Sequence, residues 1–164
     1  MNGRISGWTM LRLSKKADYA LMAMKHLALR SDRGISTASS SAREIAEMYD
    51  IPIELMAKVL QRLVRRGLLA SHQGTHGGYQ LARLPTQISV ADVIQAIDGP
   101  VTVTACSGDE GQQCEQFSKC NVRDPLWRVR ERILAALGEC TFAELAADVP
   151  PPPAAKAAVL HTHL

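Results

Sequence analysis

"SAREIAEMYDIPIELMAKVLQRLVRRGLLASHQGTHGGYQLAR", residues 41–83, changes its hydrophobic period within a single stretch, and that change decides the fold. It opens with Ser41 and Glu44 in the S-x-x-E order of a capping box, which predicts a short helix over 41–50. Asp50-Ile51-Pro52 breaks it, and a longer helix is predicted from Pro52 to Arg66. Proline lacks a backbone N–H and so suits a first helical turn, while Gly67 is a natural stop. Met56, Val59, Leu60 and Leu63 recur at helical spacing and form its inward face. Beyond Gly67 the period becomes that of strands. "GLLASHQGTHGGYQLAR" places two short extended runs around a glycine-rich turn, the pattern of a hairpin. A helix pair, the second helix basic, followed by a hairpin is a winged helix-turn-helix.

The outward face of the second helix carries Glu54, Ala57, Lys58, Gln61, Arg62 and Arg65. Cations there can neutralise phosphates, and amides and guanidinium groups can bond base edges. Between Leu55 and Ala91 stand Lys58, Arg62, Arg65, Arg66 and Arg83 with no Asp or Glu, although the whole chain has a net charge of only +3. That stretch is a local basic surface of the kind a polyanion docks on. A cationic helix alone is commonly just a solvated face. The hairpin adds His72, Gln73, Thr75 and His76 on a turn whose Gly74, Gly77 and Gly78 permit close backbone approach. Together with Ser41 at the start of the first helix, these residues form the expected contact surface for a double-stranded DNA operator.

Outward from this unit the chain stays mostly helical. Ser14 can cap a helix to about Arg30, with Tyr19, Ala20, Ala23, Met24 and Leu27 near helical spacing. "SVADVIQAID" reads as a short helix ending at Gly99-Pro100, Asp124-Pro125 opens one to about Leu137, and "TFAELAA" forms a last short one. The expected class is mainly α with a small β-hairpin wing. Residues 1–9 read as a loose leader, with Met10 an alternative start, and 10–100 as the winged domain. A cysteine-bearing loop follows over 101–123, then 124–148 as a dimerisation helix with a short C-terminal helix. Residues 149–164 are expected to be an extended tail, since Pro150 to Pro153 cannot continue a helix.

The loop holds three of the four cysteines, Cys106, Cys114 and Cys120, in the polar run "CSGDEGQQCEQFSKC". No secretory signal and no uninterrupted apolar span is visible, so a cytoplasmic location with reduced thiols is expected. Thiolates there suit an iron–sulfur cluster or zinc. Zinc sites usually pair ligands two to four residues apart, and the wider gaps here favour a bulkier cluster. Three clustered thiols could also join in a disulfide switch under oxidation. Cys140 lies beyond a helix from the others and is expected to be a buried free thiol near Phe142. No glycine-rich cofactor cradle or acid–base constellation is present, so neither an enzyme nor a small-molecule substrate is expected.

"LRLSKKADYALMAMKHLA", residues 41–69, "GTHGGYQLAR", "ISVADVIQAIDGP" and the three-cysteine loop together resemble the Rrf2 family of winged-helix regulators over about residues 10–148. The resemblance implies a homodimer on a pseudo-palindromic operator, usually repressing transcription of cluster-assembly or stress-response genes. It implies a recognition helix in the major groove, a wing in the minor groove, and a dimer interface on the helix after the cysteine loop. Leu126, Val129, Ile133 and Leu137 give that helix an apolar stripe, which by periodicity alone could equally be intramolecular core. The implied cluster ligands are Cys106, Cys114 and Cys120. One branch adds a histidine three residues after the last cysteine, where Arg123 stands here. Another takes an aspartate from the first helix of the partner subunit, and Asp18 occupies the matching position in "RLSKKAD". The implied cofactor is a cluster held by three cysteines of one subunit and Asp18 of the other, 4Fe–4S favoured over 2Fe–2S. A metal-free thiol-based redox repressor is the alternative. Many relatives carry a basic residue before the first wing glycine, where this chain has Gln73.

Overall fold

The computed structural model describes residues 13–32, 39–75, 77–103 and 114–147. The leader, the proline-rich tail, His76 and Cys106 lie outside them. The architecture is mainly helical with one hairpin, as the period changes require: α1 (Lys15–Asp32), α2 (Ala42–Met48), α3 (Ile53–Arg65), β1 (Leu69–His72), β2 (Gly78–Leu81), α4 (Val90–Asp98), α5 (Arg123–Glu139) and α6 (Phe142–Ala146).

The core is built on α1, whose Ala17, Ala20, Ala23, Met24, Leu27 and Ala28 are all buried. Four alanines on one face let neighbouring helices approach closely, and α3, α4 and α6 all pack against α1. From α3 come Met56, Val59, Leu60 and Leu63, the inward face expected from spacing, and from α4 Val93, Ala96 and Ile97. Phe142 of α6 is fully buried in the same cluster, so the chain returns to the winged domain after α5. Two backbone bonds fix that return: Val90 N–H donates to the Cys140 carbonyl (2.9 Å) and Phe142 N–H to the Ile88 carbonyl (3.0 Å).

Helix starts are specified locally. Ser41 with Glu44, Ser89 with Asp92 and Thr141 with Glu144 form three reciprocal capping boxes at α2, α4 and α6. At α1 the Ser14 hydroxyl oxygen accepts from Ala17 N–H (3.1 Å), while its O–H and backbone N–H donate to the Asp98 carboxylate. The start of α1 is thereby tied to the end of α4.

The hairpin pairs Leu69 with Leu81 at its base and His72 with Gly78 at its tip. Ser40, just before α2, exchanges both backbone bonds with Tyr79 (3.0 and 2.9 Å), docking the wing onto the helix-turn-helix. A polar knot backs this junction. His26 of α1 bonds the Tyr49 hydroxyl through Nδ1 and the buried Ser40 hydroxyl through Nε2, both at 3.2 Å. Burial lowers the His26 pKa, the Arg30 charge lowers it further, and Glu44 partly opposes them. A histidine that protonates less readily when folded stabilises the fold above its ordinary pKa of 6.5 and loses that contribution as pH falls. Denaturant midpoints are therefore expected to drop from pH 6.5 downward and to level off below the depressed folded value. A His26→Leu protein should lack that component.

Candidate nucleic-acid interface and cysteine turn

On α3 the outward residues stand where the spacing placed them: Glu54, Lys58, Gln61, Arg62 and Arg65 are exposed, and Ala57 is half-buried. They do not all have free heads. Arg62 Nε–H donates to the Ala96 carbonyl of α4 at 3.0 Å, so Arg62 also braces α3 against the body of the domain. Among the described residues Arg65 reaches only its own helix, Nε to the Gln61 carbonyl at 3.4 Å. A bond from a charged donor to a carbonyl is worth more than a neutral one. Arg62→Ala is thus expected to cost both DNA affinity and about 1.5 kcal/mol of stability, whereas Arg65→Ala should cost affinity alone. Thermal melts alongside DNA titrations at several salt concentrations separate the two, each lost phosphate contact reducing the log–log salt slope by about one.

Ser41 serves first as a cap: its hydroxyl oxygen accepts from Glu44 N–H at 3.1 Å, and Glu44 accepts from Ser41 N–H at 2.6 Å. At the wing tip His72, Gln73 and Thr75 are exposed, and Gly77 N–H closes the turn onto the Gly74 carbonyl at 2.9 Å. A Cβ at Gly77 would stand 2.4 Å from the His72 carbonyl oxygen, so the turn takes glycine for space.

Of the cysteine segment, residues 114–120 are among those described. Residues 115–119 form tight turns, with Phe117 N–H on the Cys114 carbonyl and Lys119 N–H on that of Gln116, both at 3.0 Å. Cys114 is exposed, Cys120 is half-buried, and both are free thiols. Among the described residues no three His, Cys, Asp or Glu side chains lie close enough together to hold a metal ion. Cys114, Cys120 and Asp18 of one chain therefore do not form a site by themselves. The donor chemistry nevertheless fits a cluster: two soft, uncommitted thiols flank one polar turn, with the third cysteine in the adjoining 104–113 segment.

Two arginines of α5 hold the ends of this segment, which periodicity had not indicated. Arg130 Nε–H donates to the Val101 carbonyl at 2.7 Å, its guanidinium lies 5.0 Å from the Trp127 ring centre, and it pairs with Glu131 at 2.6 Å. Arg123 stacks over Phe117 at 4.6 Å, reaches the Phe117 carbonyl and pairs with Asp124. The position where one branch would carry a histidine ligand is thus taken by a side chain that clamps the turn.

No residue of α5 is buried, although the helix packs on α4. Leu126, Ile133 and Leu137 are half-buried, and Val129 is 41% and Trp127 50% exposed. The apolar stripe is therefore not absorbed as core within one chain. Cys140 differs from expectation. It caps α5 in extended backbone and is half-buried rather than buried, while Phe142 takes the core position.

Residues 13–148 match the family model described as Rrf2, iron-dependent transcriptional regulator. The chain belongs to the Rrf2 family. It is 37% identical over 136 residues to the HTH-type transcriptional regulator IscR of Xenorhabdus nematophila, covering 82% of this chain and 79% of the relative. The IscR of Serratia proteamaculans matches to the same extent. Among solved structures, T. potens IscR superposes with a TM-score of 0.63 at 26% identity, covering 87% of this chain and 90% of that one. The oxidized form of Staphylococcus aureus CymR gives 0.64 at 26% identity, over 85% and 98%. This Rrf2 protein is an IscR-like, DNA-binding transcriptional regulator with a winged-helix fold, not an enzyme. No helix among its described residues is long and apolar enough to cross a membrane.

Proposed function

We propose that this chain is a homodimeric repressor that reads a pseudo-palindromic operator and responds to the state of its cysteine segment through an iron–sulfur cluster, 4Fe–4S in preference to 2Fe–2S. The observation that carries the reading is the pair of free thiols, Cys114 and Cys120, on a turn clamped to α5 by Arg123, with α5 itself left without buried residues. Cys106, Cys114 and Cys120 would hold the cluster, and Asp18 of the second subunit would complete the shell. When bound, such a group supplies a centre reactive toward oxygen, nitric oxide and cellular reductants.

This chain's own residues do the rest. Lys58, Gln61, Arg62 and Arg65 meet the major groove, with phosphate contacts fixing register and base-edge contacts fixing sequence. The wing tip, His72 to His76, meets the adjacent minor groove, with Gln73 making it less dependent on charge than a basic residue would. Leu126, Val129, Ile133 and Leu137 meet their counterparts across the dimer. A dimer must match half-sites about one helical turn apart, so a small movement of α5 alters the fit of both α3 helices. Cytoplasmic location and cluster-assembly or stress-response targets belong to the same reading.

The test is iron, sulfide and absorption analysis of protein purified without oxygen, followed by titration onto double-stranded DNA. Brown, dimeric protein with DNA affinity that depends on cluster content supports the reading. Asp18→Ala should alter the absorption and magnetic resonance spectra, and an unchanged spectrum would remove Asp18 from the shell. Colourless, iron-free protein that binds DNA and loses affinity on oxidation favours instead a thiol switch among the same cysteines. The structural likeness to an oxidized regulator, CymR, gives that alternative its footing.

A further inference from the structure

The first turn of α3 has a chemistry unlike the rest of the basic surface. Ile53 is 41% exposed and Glu54 beside it is exposed, whereas the following 37 residues contain no acid. Among the described residues Glu54 takes part in no ion pair, although Lys58 stands one turn away. An acid facing DNA is repelled by phosphate and gains only where it meets a donor. In the major groove cytosine offers such a donor at its N4 amino group, and thymine offers a methyl group for apolar contact. Recognition helices present their N-terminal residues to base edges, which is where Ile53 and Glu54 stand.

We propose that Ile53 and Glu54 are specificity-determining residues that select neighbouring thymine and cytosine bases in each operator half-site, Ile53 against the thymine methyl and Glu54 accepting from the cytosine amino group. The assignment rests on the DNA-binding regulator reading above and adds the base identities. Glu54 also lies near the positive end of the α3 dipole, where an acid favours the helix. That role predicts an effect on stability with no effect on base preference.

The experiment selects from a randomised double-stranded DNA library with full-length protein purified without oxygen, comparing wild type, Glu54→Gln, Glu54→Ala and Ile53→Ala. Wild type should enrich a half-site with one strongly preferred cytosine beside a thymine. Glu54→Ala should lose about ten-fold or more of the discrimination at the cytosine while binding unrelated DNA more tightly. Glu54→Gln should relax that position or move it toward adenine, which an amide can bond at two edge atoms. Ile53→Ala should relax only the neighbouring thymine. Identical preferred sequences from all four proteins, differing only in overall affinity or melting temperature, would overturn the assignment. Enrichment of nothing by wild type would sink the regulator reading itself, and this assignment with it.

Discussion

Cys120→Ser protein purified without oxygen is expected to be colourless and to carry only background iron and sulfide, whereas Cys140→Ser should keep the wild-type content. Cys120 is a free, half-buried thiol at the foot of the turn that Arg123 clamps, two residues before the α5 N-cap, Val122. A serine hydroxyl there is harder than a thiolate and stays protonated, so it is a poor substitute on iron. Cys140 contributes its backbone carbonyl to Val90 N–H, and a serine keeps that bond. The consequence should extend to DNA. If two sites are coupled through a two-state element, affinities commonly differ by about 5- to 150-fold between the two states. Cys120→Ser should remove that difference and fix the protein at the metal-free affinity. Wild type that is itself iron-free, with an oxidation-sensitive affinity abolished by Cys120→Ser, would assign the same thiols to a disulfide switch.

The elements of the fold were legible because each is written in local terms. The capping pair Ser41–Glu44, the Pro52 start and the Gly67 stop mark helices within a few residues of where they occur. The inward face of α3 follows from its spacing, and all four of its expected core residues are buried. What the sequence conceals are bonds made by side chains to distant backbone. Arg62 to Ala96, Arg130 to Val101 and the His26–Ser40–Tyr49 knot join residues many positions apart, and no period announces them. They also change the meaning of residues already singled out. Arg62 looks like one more cation on a DNA-facing surface until its Nε is seen to hold α4. Arg123 looks like a missing ligand until its guanidinium is seen over Phe117. Cys140 misleads in the opposite direction: a small apolar-like residue two positions from a phenylalanine suggests burial, but the α5 end leaves it half-buried while Phe142 fills the core.

Gly78→Val should produce a large structural effect on the DNA-facing side. Gly78 has φ +149°, a conformation side chains rarely adopt, and a Cβ there would lie 2.8 Å from both the carbonyl carbon and oxygen of Ser40. Those are backbone atoms next to the Ser40–Tyr79 bridge, so neither can swing aside as a side chain would. Backbone strain of about 1–3 kcal/mol and overpacking of similar size together predict a loss of about 2–6 kcal/mol. For a domain of this size that corresponds to a melting temperature lower by about 5–20 °C. Gly74→Ala separates the two contributions, because Gly74 also has a positive φ, +120°, but no atom within 4 Å of the added Cβ. It should cost only the strain. The functional readout follows from where the clash falls. Pushing β2 away from Ser40 detaches the wing from the start of α2, so the hairpin no longer holds its angle to α3. Gly78→Val should therefore lose DNA affinity at least ten-fold at temperatures where circular dichroism still shows folded helices, which corresponds to about 1.4 kcal/mol of binding. Full affinity in a folded Gly78→Val protein would show that the wing does not need its Ser40 anchor to engage DNA.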